Sequence, residues 1–330
     1  MKTKVAVIGD GGWGTALAMV AHANGHAVSV WSAFSDYAAE LSRTRLNSRF
    51  LPEIPLPPAI TFTADRKDAV SDAGLVIIAV PTRFFNDVVT TFNGLIPRDA
   101  LVVSVTKGIE NDTGRCMSEI AGELLQRDDV AALSGPSHAE EVAKNIPTAV
   151  TVAAAQPDKA VAIQQIMSGR FFRVYTSDDV RGVQLGGALK NIIAIAVGVS
   201  DGLGFGDNTR AALITRGLVE ITRLGCALGA QAETFAGLSG MGDLIVTCTS
   251  RHSRNRGLGE RIGHGEQAAD ILAGMQQVAE GAWNCAAAFQ LAAKHHISMP
   301  VTAEVNAILH ENKPAAEAVE ALLSRNPKPE

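Results

Sequence analysis

Aromatic side chains are scarce in this chain, 5% of its 330 residues, with two tyrosines and three tryptophans. A surface that stacks on nucleic-acid bases needs such rings in number, so no nucleic-acid partner is expected. Charge of one sign is not in excess either. A net charge of −5 gives no general attraction to nucleic acid or to an anionic membrane. The four cysteines (Cys116, Cys226, Cys248 and Cys285) form no C-x-x-C pair and no metal-ligand spacing. That excludes a disulfide scaffold, predicts no metal site, and suits reduced thiols in the cytoplasm. The most lipid-like stretch, residues 182–200, is interrupted by Gln184, Lys190, Asn191 and several glycines. A membrane span takes about 20 predominantly apolar residues, so this stretch reads as a buried helix rather than an integral membrane segment. The first residues enter a strand pattern directly, and no secretory leader is expected. No internal repeat or low-complexity run is present, and residues 326–330 read as a frayed tail.

What is present begins at residue 4. A short apolar run (Val5, Ala6, Val7, Ile8) leads into Gly9-x-Gly11-x-x-Gly14, followed by a helix-like segment over residues 15–24 with Gly25 as its stop. Gly9 allows a tight turn, Gly11 lets a pyrophosphate approach the backbone, and Gly14 lets helix pack on strand. The helix N-terminus adds N–H donors and a positive dipole end. The strand before and the helix after favour dinucleotide binding over a glycine-rich turn of another α/β protein. Trp13 is bulky for such a turn.

The first half alternates strand and helix signals, the mark of a parallel sheet covered on both faces. Strands are expected at residues 27–31, 75–80, 101–105, 130–133, 149–153 and 171–175. Helices are expected at residues 65–72, capped by Asp65, and from Thr113 to about residue 126. The segment carrying Pro52, Pro55, Pro57 and Pro58 reads as a loop. From about Asp179 the period becomes helical with no convincing strand. The fold class is therefore a Rossmann-type doubly wound α/β domain, residues 1–178, followed by an all-α domain, residues 179–330.

Chemistry concentrates at Lys190, the one charged residue between Gly182 and Ser200, set among Leu185, Leu189, Ile192, Ile193, Ile195 and Val197. Burial disfavours an ammonium, which suits acid–base work near neutrality; the alternative is a lysine that snorkels out of an apolar helix. Gly186, one turn earlier, leaves room for a close approach, and Asn191 could orient a substrate oxygen. Ser253-Arg254-Asn255, flanked by Arg251 and Arg256, reads either as a capped helix entrance that holds a phosphate or as a solvated basic surface. Lys107 and Gly135-Pro136-Ser137 follow strands, where open α/β sheets place ligands. Together these describe a crevice for a nucleotide and a small phosphorylated molecule. His295-His296 lacks a third ligand, and His138 reads as a loop residue. Asp201, Asp207 and Asn208 read as helix caps, and Glu140 and Glu141 as a solvated helix face.

These residues resemble a known family in blocks that run through nearly the whole chain. Residues 7–18, residues 47–57 with Phe50-Leu51-Pro52, Ala79-Val80-Pro81, residues 106–110 and residues 133–137 are similar to the nucleotide half of bacterial NAD(P)-dependent glycerol-3-phosphate dehydrogenase. Residues 182–191, 200–206 and 240–244 with Thr247-Cys248-Thr249, then Ser253-Arg254-Asn255-Arg256 and Val278-Ala279-Glu280-Gly281, resemble its helical half.

The resemblance implies reversible hydride transfer between a nicotinamide cofactor and dihydroxyacetone phosphate, giving sn-glycerol 3-phosphate for phospholipid synthesis. It makes Lys190 the catalytic acid and base. It places Lys107, Gly135, Ser137, Asn191, Asp243, Thr247, Ser253, Arg254 and Asn255 at the substrate. The nucleotide falls to Gly9, Gly11, Gly12, Trp13, Gly14, Ser32, Ala33, Lys107, Ala139, Arg254, Val278 and Glu280. A ketone that accepts hydride becomes an alkoxide, which an adjacent cationic acid stabilises and protonates. The second strand ends in Ser32 and Ala33, where relatives often carry a basic residue. With no carboxylate there, NADP is favoured over NAD by a small margin, with Arg43 or Arg45 beside the 2′-phosphate. Gly12, where relatives often have serine, removes a side-chain bond to the pyrophosphate. The apolar faces of the helical half suit a homodimer. A hydroxyacid or ketopantoate reductase of the same architecture and a non-catalytic NAD(P)H sensor stay open. The first has no need of the Ser253-Arg254-Asn255 site, the second none of Lys190.

Overall fold

The computed structural model describes residues 2–110, 113–275 and 279–326. Two compact units form, residues 1–107 with 115–184 and residues 108–114 with 185–330.

The first unit is built on ten strands: β1 (Lys4–Ile8), β2 (Ala27–Trp31), β3 (Leu46–Asn47), β4 (Leu51–Pro55), β5 (Thr61–Thr63), β6 (Ala73–Ile78), β7 (Leu101–Ser104), β8 (Ala131–Ser134), β9 (Thr148–Ala153) and β10 (Phe172–Ser177). Seven helices accompany them: α1 (Gly12–Ala23), α2 (Ser35–Thr44), α3 (Arg66–Val70), α4 (Phe85–Thr90), α5 (Met117–Leu125), α6 (Ala139–Ala143) and α7 (Pro157–Met167). Eight strands make one sheet in the order β10-β9-β8-β7-β6-β1-β2-β5. Every neighbouring pair is parallel except β8 and β9. The order runs outward from β1 in both directions, which is the doubly wound pattern with its switch point between β1 and β6. Alternate residues of β1 enter two separate cores: Val5 and Val7 in one, Ala6 and Ile8 in the other. A strand buried on both faces has no polar side to show, so it reads as an unbroken apolar run.

The proline-bearing segment is more than a loop. It holds α2, the antiparallel pair β3 and β4, and the edge strand β5. Proline fits in β4 because β3 and β4 form a two-stranded ribbon outside the main sheet, where missing N–H donors disrupt no central ladder. Helix α1 starts at Gly12, three residues before the expected start. Helix α5 starts at Met117 rather than near Thr113, because Gly114 turns left-handed (φ +72°) and Cys116 with Glu119 forms the capping box. Asp65 caps α3 by accepting from the Asp68 amide at 2.9 Å, as its position predicts.

The second unit holds nearly all of α8 (Val180–Gly202), which the division enters between Gln184 and Leu185. It continues through α9 (Asp207–Ala227), α10 (Ala232–Ala236), α11 (Asp243–Thr249), α12 (Arg254–Gly263), α13 (Ala268–Gly274), α14 (Glu280–Lys294), α15 (Pro300–His310) and α16 (Ala315–Leu323), with no strand among its described residues. Helix α8 has the length and composition to cross a membrane, yet every residue of its most apolar window is buried. It crosses α12 backbone to backbone. A Cβ added at Gly198 would land on the Arg256 carbonyl oxygen, and one at Gly259 on that of Ile195. Glu220 on α9 is buried and accepts from the Val301 and Thr302 amides at 2.8 and 3.1 Å. It thereby satisfies the first turn of α15 with a negative charge, where the helix dipole favours one.

Candidate active site

In the first unit the glycine turn takes the expected form at the end of β1. Gly9 is left-handed (φ +114°), and a Cβ there would meet the Ala79 carbonyl oxygen at 2.5 Å. A Cβ at Gly11 would meet no atom within 4 Å, and no side chain caps α1. The turn therefore leaves both the space and the helix N–H donors that a pyrophosphate needs. Trp13 packs against Phe172 with ring centroids 6.4 Å apart, and its Nε1 is buried with no hydrogen-bond partner among the described residues. Gly12 has a structural reason: a Cβ there would sit 2.6 Å from the Phe50 carbonyl oxygen and 3.6 Å from Ala139 Cβ. A side chain at that position would have to displace the Phe50 backbone.

Ser32 and Ala33 lie directly beyond β2. Ser32 is buried, and its hydroxyl donates to Asp10 Oδ2 at 2.6 Å. A carboxylate therefore does stand at the end of β2, delivered by the turn after β1. Burial raises the Asp10 pKa, against the Ser32 hydrogen bond and the charge of Arg49. Arg45 is committed elsewhere, its guanidinium donating to the Ile60 carbonyl at 2.7 Å. The cation that acts on Asp10 is Arg49, which the sequence did not single out. The same unit brings three expected substrate residues together: Lys107 Nζ and Ser137 Oγ both donate to the Gly135 carbonyl, at 3.1 and 2.8 Å.

In the second unit Lys190 is buried in α8 and forms a short ion pair with Asp243 Oδ1. Its ammonium also donates to Thr247 Oγ1 at 2.7 Å, and that hydroxyl donates to the Asp243 carbonyl at 2.6 Å. The lysine does not snorkel. A buried cation needs a paired charge and hydrogen bonds, and Asp243 with Thr247 supplies both. Asp243 reaches it because residues Leu238–Gly242 form a π-helical turn before α11, a distortion that often marks functional positions. That turn also uses the space left by Gly186, where a Cβ would clash with the Ser239 carbonyl oxygen. The close approach at Gly186 is thus made by protein backbone.

Ser253 caps α12, accepting from the Arg256 amide at 3.2 Å. The basic cluster divides in two. Arg256 is structural, its Nε donating to Asp201 Oδ2 at 2.8 Å, with Arg210 on the other oxygen at 2.9 Å. Asp201 is therefore an ion-pair partner rather than a helix cap. Arg251, Arg254 and Arg261 instead line a cavity of about 260 Å³ with Ser253, Leu258 and Ile271. Asn255 Nδ2 donates to Asn191 Oδ1 at 3.0 Å, and Asn255 Oδ1 accepts from the Gly281 amide at 2.9 Å. These two amides lace α8, α12 and the start of α14 together. Glu280 opens α14, and Val278 lies outside the described residues.

A doubly wound sheet with an open glycine turn, and a helical unit that holds a buried lysine–aspartate pair and a cationic cavity, describe a nucleotide-dependent dehydrogenase architecture. Two family models match: NAD-dependent glycerol-3-phosphate dehydrogenase N-terminus over residues 4–160 and C-terminus over residues 179–320. A protein of Geobacter sp. (strain M21) named glycerol-3-phosphate dehydrogenase [NAD(P)+] is 49% identical over 100% of this chain and 99% of its own length. One of the same name from Fusobacterium nucleatum is 46% identical over 98% of each chain. The crystal structure of glycerol-3-phosphate dehydrogenase from Coxiella burnetii superposes with a TM-score of 0.94 at 41% identity, covering 98% of this chain and 99% of that one. The chain belongs to the NAD-dependent glycerol-3-phosphate dehydrogenase family. A ketopantoate reductase from Ralstonia eutropha shares the fold alone, at 17% identity and a TM-score of 0.60.

Proposed function

We propose that this chain catalyses the reversible NAD(P)H-dependent reduction of dihydroxyacetone phosphate to sn-glycerol 3-phosphate, in the cytoplasm and in supply of phospholipid synthesis. The observation that carries the reading is the buried Lys190–Asp243–Thr247 constellation, in a chain that relatives of this activity match end to end.

When bound, the nicotinamide supplies the hydride that the ketone carbon accepts. Lys190 gives its ammonium proton to the ketone oxygen as that oxygen gains negative charge, and takes a proton back from the alcohol in reverse. Asp243 and Thr247 hold the ammonium in place and keep it charged until the proton is needed. Arg254, with Ser253 at the N-terminus of α12, clamps the substrate phosphate, because a forked guanidinium matches its oxygens. Asn191 and Asn255 fix the α8–α12 geometry behind that clamp. Lys107, Gly135 and Ser137 complete the substrate set. Gly9, Gly11, Gly12, Trp13, Gly14, Ser32, Ala33 and Ala139 serve the nucleotide, joined by Lys107, Arg254, Val278 and Glu280.

A small preference for NADP belongs to this reading. Neither Ser32 nor Ala33 offers a carboxylate of its own; Arg45 is engaged by the Ile60 carbonyl, and Arg49 joins Arg43 as a cation for a 2′-phosphate. Asp10 keeps the preference small. The test is oxidation of NADPH and NADH by purified protein with dihydroxyacetone phosphate, followed by loss of the reduced-nicotinamide absorbance. Turnover with the phosphorylated ketone and none with dihydroxyacetone supports the reaction and the phosphate clamp together. Equal turnover of both ketones would remove the role given to Arg254.

A further inference from the structure

Asp10, just beyond β1, and Arg49, in the turn between β3 and β4, are a pair of opposite charges that a glycine fingerprint does not require. Asp10 accepts the Ser32 hydroxyl at 2.6 Å through Oδ2. Ser32 is itself fixed: its amide donates to the Thr63 carbonyl at 2.9 Å, and its hydroxyl accepts from the Phe34 amide at 3.3 Å. In dinucleotide-binding sheets an acidic residue at the end of the second strand accepts the ribose 2′-hydroxyl of NAD, and a nearby arginine accommodates the 2′-phosphate of NADP. Here the acid comes from the turn after the first strand, and Ser32 aims it. Ser32 engages one carboxylate oxygen of Asp10, a residue only partly buried, and a carboxylate offers about four acceptor positions in all, enough for a ligand hydroxyl as well.

The opposite charge comes from the turn between β3 and β4. The Arg49 guanidinium lies 4.2 Å from the centroid of the Tyr37 ring. The Tyr37 hydroxyl donates to Asn47 Oδ1 at 2.7 Å, and Asn47 Nδ2 donates to the Asp10 carbonyl at 2.7 Å and to Thr15 Oγ1 at 2.8 Å. The ring on which Arg49 rests is thus tied to the backbone that carries Asp10. A guanidinium presents five N–H donors in a rigid fork whose geometry matches a phosphate.

We propose that Asp10, positioned by Ser32, and Arg49, positioned by Tyr37, read the adenosine ribose 2′ position in opposite directions. Asp10 accepts the 2′-hydroxyl of NADH, and Arg49 holds the 2′-phosphate of NADPH. The inference rests on the dehydrogenase reading above and adds how one site serves two nucleotides.

The test compares dissociation constants of NADH and NADPH, by fluorescence titration without substrate, for the unmodified chain and three variants. Asp10→Asn keeps an acceptor for Ser32 but loses the charge, and moves selectivity toward NADPH by roughly ten-fold, about 1.4 kcal/mol. Arg49→Ala moves it toward NADH by a similar factor. Ser32→Ala follows Asp10→Asn with a smaller shift. A selectivity ratio unmoved by Asp10→Asn and Arg49→Ala, or moved in one direction by both, overturns the inference and leaves the dehydrogenase reading standing. Binding of neither nucleotide to the unmodified chain overturns the dehydrogenase reading, and this inference with it.

Discussion

The α/β unit and the helical unit hold their chemistry by different means. In the first, the glycine turn is one short stretch of chain, and the backbone does most of the work there: a left-handed Gly9, an open Gly11, and the N-terminus of α1. In the second, the decisive contacts join side chains far apart in sequence. Lys190 meets Asp243 across 53 residues, and Asn191 meets Asn255 across 64. A backbone site tolerates much change in its neighbours, whereas a site of buried paired charges fails when one partner is removed.

The sharpest way to test that difference is to remove the chemistry from one unit and ask whether the other notices. Lys190→Ala is expected to lower turnover by roughly 10²–10⁴-fold, the usual contribution of a positioned general acid, while NADH and NADPH still bind with little change. A loss of nucleotide binding in step with turnover would mean that the two functions are not separable in this way.

Next in size is the packing that sets the helical site. Gly198→Ala drives a methyl group into the Arg256 carbonyl where α8 crosses α12. Overpacking of this kind costs about 1–3 kcal/mol, and a backbone obstacle places it at the upper end. The cysteines report where the damage falls. Cys226 is exposed, whereas burial pushes the thiols of Cys116, Cys248 and Cys285 up to about 12. In the unmodified protein one thiol of four should react quickly with an aromatic disulfide reagent at pH 8. In Gly198→Ala, Cys248 and Cys285 of the helical unit should become reactive before Cys116 of the α/β unit. Simultaneous labelling of all three would show that the two units do not differ in this respect.

The same contrast explains how much was legible in the sequence. The glycine turn, the strands of the parallel sheet, the Asp65 cap and the Ser253 cap are local signals, and each is found within a few residues of its expected place. The proline-bearing stretch hid a helix and three strands: β3 and β4 form a ribbon outside the main sheet, and β5 is an edge strand of three residues, too short to show a burial period. Lys190 stood out by being alone among apolar residues, but the pattern could not say whether it was buried or snorkelled. That depended on Asp243, which a π-helical turn delivers. Asp243 entered through resemblance, not spacing. Asp10 and Arg49 escaped notice for the same reason. Asp10 lies inside the glycine fingerprint after β1, and its position in the sequence carries no sign that it reaches Ser32 at the end of β2.

The smallest expected effect lies in the α/β unit, away from its site, and tests whether side-chain charges matter there at all. Asp129 is held by Arg127 at 2.8 Å and by Lys159. The Arg127 hydrogen bond, with help from Lys159 and against partial burial, lowers its pKa to about 2. An acid whose folded pKa lies below its unfolded value near 3.9 binds protons less readily when folded. Its contribution is therefore present above pH 4 and is lost as the pH falls through about 2. Screening by water limits the gain to about 1 kcal/mol. Asp129→Asn should lower stability by about that much at pH 7 and by almost nothing near pH 2, as measured by urea unfolding across the range. A difference that stays constant with pH would assign the effect to lost hydrogen bonds alone. The α/β unit would then owe its stability to its two apolar cores and its ladder, with its charges reserved for the nucleotide.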